Sequence, residues 1–250
     1  MARIITLASG KGGTGKSTMT AAIGRALARQ GKRVLLADMD AGVRALELML
    51  SADSLTHYNW LDAATGKARV QDAVSSLGQN LSLLHAPNEG GVQVEPSEIK
   101  EMLSALSANF DYILCDSSAG VGQSLKIAAA ASDAAIIVTV PDKIAVSAAA
   151  AASEFLFSEG VEDISLIVNK FSVNRLPRSK EDFFTLDDIM DTVCARLLGV
   201  VPFDSSVVSL VKGENASGKS AVEASVQRIA KRIEGESVPL PVKELIKYKG

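Results

Sequence analysis

Two lysines, Lys11 and Lys16, stand among four glycines in Gly10-Lys11-Gly12-Gly13-Thr14-Gly15-Lys16-Ser17-Thr18. The run satisfies G-x-x-x-x-G-K-[ST], and the chemistry that pattern serves is the binding of a polyphosphate. Glycines let the backbone turn tightly and aim successive N–H groups at phosphate oxygens, so Gly10, Gly12, Gly13, Thr14 and Gly15 form the expected cradle. Lys16 is placed to neutralise the β- and γ-phosphates. The Ser17 hydroxyl is the expected Mg²⁺ ligand, with Thr18 beside it at the start of the following helix.

A magnesium nucleotide also needs carboxylates, and two places supply them. Leu35-Leu36-Ala37-Asp38-Met39-Asp40 ends an apolar run with two aspartates, which from a strand beside the phosphate loop would reach Mg²⁺ and an attacking water. Tyr112-Ile113-Leu114-Cys115-Asp116 is a second apolar run that delivers Asp116 towards the metal.

The elements that must position these groups are legible as alternation. Short apolar, β-branched runs lie at 4–9, 33–38, 81–86, 112–116, 134–140, 164–169 and 198–202. Helical patterns lie at 16–30, 96–109, 123–131, 145–159, 186–196 and 219–234. Several strands are apolar on both faces, as buried parallel strands are. The expected fold is therefore α/β, a mostly parallel central sheet flanked by helices on both faces. No linker-like segment or internal repeat divides the chain, so residues 1–240 are expected to form one domain, with a short tail at 241–250.

Composition narrows the function classes. The 250 residues are 47% hydrophobic and 22% charged, with a net charge of −3, which disfavours a broad nucleic-acid-binding surface. Cys115 and Cys194 form no C-x-x-C unit, which suits a reduced cytoplasmic protein. No secretory signal pattern opens the chain. The most apolar region, 128–156, is interrupted by Asp133, Pro141, Asp142 and Lys143, so no transmembrane span is expected.

With Lys11 inside it, the phosphate loop resembles the deviant Walker A signature of the MinD/ParA family of P-loop ATPases. That resemblance implies ATP as substrate, Mg²⁺ as cofactor, and a homodimer in which Lys11 reaches the nucleotide of the partner subunit. Asp38-Met39-Asp40-Ala41-Gly42-Val43-Arg44-Ala45-Leu46-Glu47-Leu48 is similar to the first switch of the MinD branch, where the second aspartate, here Asp40, positions the water. Asp116-Ser117-Ser118-Ala119-Gly120 resembles that branch's second switch, with Ser118 in place of proline. The resemblance further implies that Asn169 contacts adenine and that Pro202 and Asp204 close the base pocket. It departs at Ser147 and Ala148, where MinD proteins carry an Arg-Asp pair of their partner-binding surface, and in the tail, which has the basic residues of the MinD membrane helix but little of its apolar area.

The expected function is a slow, Mg²⁺-dependent ATPase that acts as a spatial regulator of division-site placement with a regulatory protein partner. A flagellar-number regulator of the same group is the alternative, and a metallocluster carrier is the alternative from another class. The tail Val242-Lys243-Glu244-Leu245-Ile246-Lys247-Tyr248-Lys249-Gly250 mixes a few aliphatic side chains with lysines, and implies weak peripheral membrane contact through paired tails.

Overall fold

The computed structural model describes residues 1–52, 56–91, 93–172, 185–213 and 220–241. The tail at 242–250 lies outside them. Eight strands form one sheet in the order β3-β4-β2-β5-β1-β6-β7-β8. They are β1 (Arg3–Ser9), β2 (Val34–Asp38), β3 (Val74–Ser76), β4 (Leu81–Leu84), β5 (Tyr112–Ala119), β6 (Ala134–Thr139), β7 (Ile164–Phe171) and β8 (Arg196–Pro202). All neighbours pair in parallel except the edge strand β3, which runs antiparallel to β4.

The helices are α1 (Lys16–Arg29), α2 (Ala45–Leu50), α3 (Trp60–Ala64), α4 (Pro96–Leu106), α5 (Gln123–Ala129), α6 (Lys143–Ser158), α7 (Leu186–Val193), α8 (Val207–Lys212) and α9 (Ala221–Ile233). Side chains alternate across the central strands. Ile5, Leu7, Leu36 and Leu114 face a layer of α1, α2, α8 and α9. Ile4, Leu35 and Ile113 face α3 and α4, and Ala8, Ile137 and Leu166 face α6 and α7. Among the described residues no helix is long and apolar enough to cross a membrane.

Local chemistry explains where α1 begins and ends. Gly15 precedes it with φ of 93°, a left-handed conformation that costs glycine little. At the other end Gly31 is also left-handed, its N–H donates to the Ala28 carbonyl, and the Lys32 N–H donates to the Leu27 carbonyl. This six-to-one closure satisfies the last carbonyls.

The elements that sequence periodicity passes over are β3 and the helices α2, α3 and α8, the longest only six residues. Helices so short are not stable alone and form because tertiary partners hold them. The helix expected at 186–196 stops at Val193: Cys194 turns left-handed with φ of 53°, and Arg196 already belongs to β8.

Candidate functional site

Parallel pairing brings the carboxylates together. In the register of β2 with β5, Asp38 stands beside Asp116, and on the other side of β5 Asp116 neighbours Leu7, just before the phosphate loop. The three strands thus end at the carboxyl edge of the sheet, where open α/β sheets bind ligands.

The phosphate loop leaves β1 and enters α1. A Cβ on Gly10 would lie 1.9 Å from the Ala148 carbonyl oxygen in α6, and one on Gly15 would lie 2.4 Å from Nδ2 of Asn169. Both positions therefore exclude side chains. Lys16 is 7% exposed, and its Nζ donates to Oδ1 of Asp116 at 2.7 Å. The Thr20 hydroxyl donates to the same oxygen at 2.9 Å. Ser17 sits next to this pair, its Oγ 3.5 Å from Lys16 Nζ. Gly12 and Gly13 are exposed, Thr14 is buried, and Lys11 is exposed at the tip.

Two polar atoms bear on ligand binding. Oδ2 of Asp116 and Oγ1 of Thr14 are buried without a hydrogen-bond partner among the described residues. An ionised oxygen in that state is costly unless something pairs with it. A divalent cation or its bound water fits Asp116, and a phosphate oxygen fits Thr14. The residues present therefore suit a magnesium nucleotide.

Asp38 is fully buried, and its oxygens accept from the N–H groups of Asp40 at 3.1 Å and Leu46 at 2.9 Å. Burial pushes its carboxyl up to about 7 and the Asp116 charge adds to that, against the two amides. Asp40 is half-buried, and burial raises it as well, with Lys16 opposing and Asp116 reinforcing. Asp40's carboxylate makes no hydrogen bond among the described residues, which leaves it available to a water molecule.

Beside the phosphate loop lies a cavity of about 120 Å³ lined by Gly15, Thr18, Asn169, Pro202, Asp204 and their neighbours. Asn169, Pro202 and Asp204, far apart in sequence, thus line one cavity. In addition, Asn169 Nδ2 donates to the Thr14 carbonyl at 2.7 Å and Lys170 Nζ to the Gly13 carbonyl at 2.6 Å. These two residues tie β7 to the phosphate loop.

Sequence reasoning missed Thr20, Lys170 and Ser124. Thr20 carried a usable signal, since it lies one helical turn after Lys16 on the same face. Ser124 receives the Ser118 N–H at 2.8 Å and donates to the Met39 carbonyl at 3.0 Å, joining the two carboxylate-bearing segments. No local pattern marks such a bond.

A family model for ParA, described as NUBPL iron-transfer P-loop NTPase, matches residues 1–234. The septum site-determining protein MinD of Bacillus subtilis is 35% identical over 98% of this chain and 93% of its own length. The MinC:MinD cell division protein complex of Aquifex aeolicus aligns with a TM-score of 0.85 at 31% identity, covering 100% of both chains. The septum site-determining protein MinD of Pyrococcus horikoshii, complexed with Mg-ADP, aligns with a TM-score of 0.80 at 27% identity, covering 94% and 96%. A phosphate loop with a second lysine, paired carboxylates at the same sheet edge and these relatives place the chain in the ParA family of P-loop ATPases, among its MinD members.

Proposed function

We propose that this chain is a Mg²⁺-dependent ATPase switch that dimerises on ATP and helps to position the division septum. The observation that carries the reading is the contrast between the two lysines. Lys16 is buried against Asp116 in its own subunit. Lys11 is exposed and makes no hydrogen bond or ion pair among the described residues. A cation placed so is suited to act on a second copy's nucleotide. Ile144 and Val121, 69% and 49% exposed, are apolar groups near the same edge that a second copy would cover.

Gly10 to Gly15 would cradle the phosphates with backbone N–H groups, and Thr18, Asn169, Pro202 and Asp204 would hold the base. Ser17, Asp116 and Asp38 would hold Mg²⁺, Asp38 using the lone pairs its two amide donors leave free. Bound there, Mg²⁺ supplies positive charge against the phosphate oxygens. Lys16 moves from Asp116 onto the phosphates, Asp40 orients the attacking water, and Lys11 of the second copy stabilises charge that develops in the transition state. Turnover is slow without a protein partner, and the dimer's paired tails give weak, reversible membrane contact.

The test compares the parent with Lys11→Ala and Asp40→Ala by size exclusion with ATP and by phosphate release. Lys11→Ala should bind nucleotide yet fail to dimerise. Asp40→Ala should dimerise and stay dimeric, with hydrolysis reduced on the order of a hundredfold. A Lys11→Ala protein that dimerises like the parent would overturn the reading. Cosedimentation of the ATP dimer with anionic vesicles checks the membrane step.

The family model's description suggests iron transfer as a second reading. It needs several accessible thiols gathered together, but of the two cysteines Cys115 is buried in β5, its thiol pushed up to about 12 by burial and the Asp116 charge, which leaves Cys194, exposed after α7, as a lone thiol. Iron content after anaerobic purification decides it.

A further inference from the structure

The loop that carries Asp40 is held by side chains that take no part in nucleotide contact. Glu47 in α2 is fully buried. Its carboxylate accepts from His85 Nδ1 at 2.9 Å, from the Ala86 N–H at 2.9 Å, and from Arg44. His85 is 2% exposed, and its Nε2 meets the Ser75 hydroxyl at 2.9 Å. The segment after β4 lies along the loop: the Gly42 N–H donates to the Pro87 carbonyl at 3.0 Å, and Arg44 donates to Asn88. Trp60, the only tryptophan, joins the frame, its indole donating to the Asp38 carbonyl and its backbone N–H to the His85 carbonyl, both at 2.9 Å.

Among the described residues the Asp40 carboxylate has no partner, so its aim is set by its backbone. That backbone is fixed at one end by β2 and at the other by α2. At six residues α2 cannot hold itself. A buried carboxylate with three donors is a strong anchor, because charge-assisted bonds in a dry setting are short and directional.

We propose that His85, acting through Glu47, is a positioning residue for hydrolysis: the buried pair fixes α2 and so aims Asp40 at the water. This rests on the ATPase reading of Asp40. A purely structural pair would lower stability, nucleotide affinity and turnover together. A positioning pair lowers turnover and leaves affinity alone.

The experiment measures kcat and KM for ATP in the full chain, nucleotide Kd with a fluorescent ATP analogue, melting temperature, and Trp60 emission. The variants are His85→Asn, His85→Gln and His85→Leu. Asparagine places its amide donor near the Nδ1 position and keeps the bond to Glu47, whereas glutamine reaches the Nε2 position and serves Ser75 instead. His85→Asn should retain kcat within about threefold, while His85→Gln and His85→Leu lose about tenfold or more, since misplacement of about an ångström can cost a hundredfold. Nucleotide Kd should stay within about twofold in all of them. If His85→Leu does not fold, the Asn and Gln variants, both polar and near in volume, carry the comparison.

Parent-like kcat in the Gln variant, or a Kd that weakens in step with kcat, would overturn the proposal and leave the ATPase reading standing. A parent that binds ATP but never hydrolyses it overturns both.

Discussion

The phosphate loop and the Asp40 loop face each other across one end of the sheet, and they are held by different means. The phosphate loop is held chiefly by absence of room, with Gly10 against the Ala148 carbonyl and Gly15 against Asn169, and is fastened further by the Asn169 and Lys170 bonds to its carbonyls. The Asp40 loop is held by hydrogen bonds to Asp38, Glu47 and the segment following β4. Close packing and the buried Glu47 anchor each admit one arrangement, whereas the exposed backbone between them, where the Gly42 N–H meets the Pro87 carbonyl, can exchange its hydrogen bonds with water at little net cost. A switch needs a fixed cradle and an adjustable arm. The two regions divide that labour.

Lys16→Ala should have the largest effect, because it damages the fixed side twice. It removes the cation expected on the phosphates, and it strips the buried Asp116 of its charged partner, leaving only the Thr20 hydroxyl. Nucleotide binding should fall below detection in calorimetry. Stability without nucleotide should drop by about 3 kcal/mol or more, as breaking a buried pair does. A variant that bound ATP with parental affinity would mean that the cradle does not depend on this lysine.

The Asp40 loop should instead betray itself in acid. Burial alone would raise Glu47, but the bonds from His85, Arg44 and the Ala86 amide outweigh it and bring its carboxyl down to about 2 from 4.5. A depressed carboxyl contributes stability that is complete above pH 4.5 and is lost as pH falls towards 2. The difference between the two pKa values corresponds to about 3 kcal/mol at most. Urea unfolding at pH 5 and pH 2.5 should show the parent losing more stability than Glu47→Gln over that interval. Equal losses would remove Glu47 from the anchor.

How much of this was legible depends on how far apart the cooperating residues lie. The cradle is nine contiguous residues, so its chemistry could be read without the fold, and alternating apolar runs gave most of the sheet. Asp38 and Asp116 stand out because each ends an apolar run, and Asp40 because it follows Asp38 by two residues. Asn169, Pro202 and Asp204 carried no local signal and were reached only through family resemblance. The Asp40 support was invisible: Ser75, His85 and Trp60 are drawn from β3, the residue just after β4, and α3, and none of them sits in a motif. Short elements such as α2 leave no period to detect, and tertiary hydrogen bonds decide them.

The smallest effect should come from Gly12, and it probes which glycines of the cradle are there for the fold. A Cβ at Gly12 meets nothing within 4 Å, and unlike Gly13 and Gly15 it has no left-handed φ. Alanine there should fit the existing backbone and reduce the freedom of the unfolded chain, a gain of about 0.5 kcal/mol. Gly12→Ala should therefore melt at or slightly above the parent temperature in the absence of nucleotide. The informative result is the pair of measurements. Unchanged melting with weakened ATP binding would show that the open space at Gly12 belongs to the phosphates, a constraint imposed by ligand rather than fold. A melting temperature lowered by about 3 °C or more would mean that the loop is strained there too, and that the fixed side of the site extends over the whole cradle.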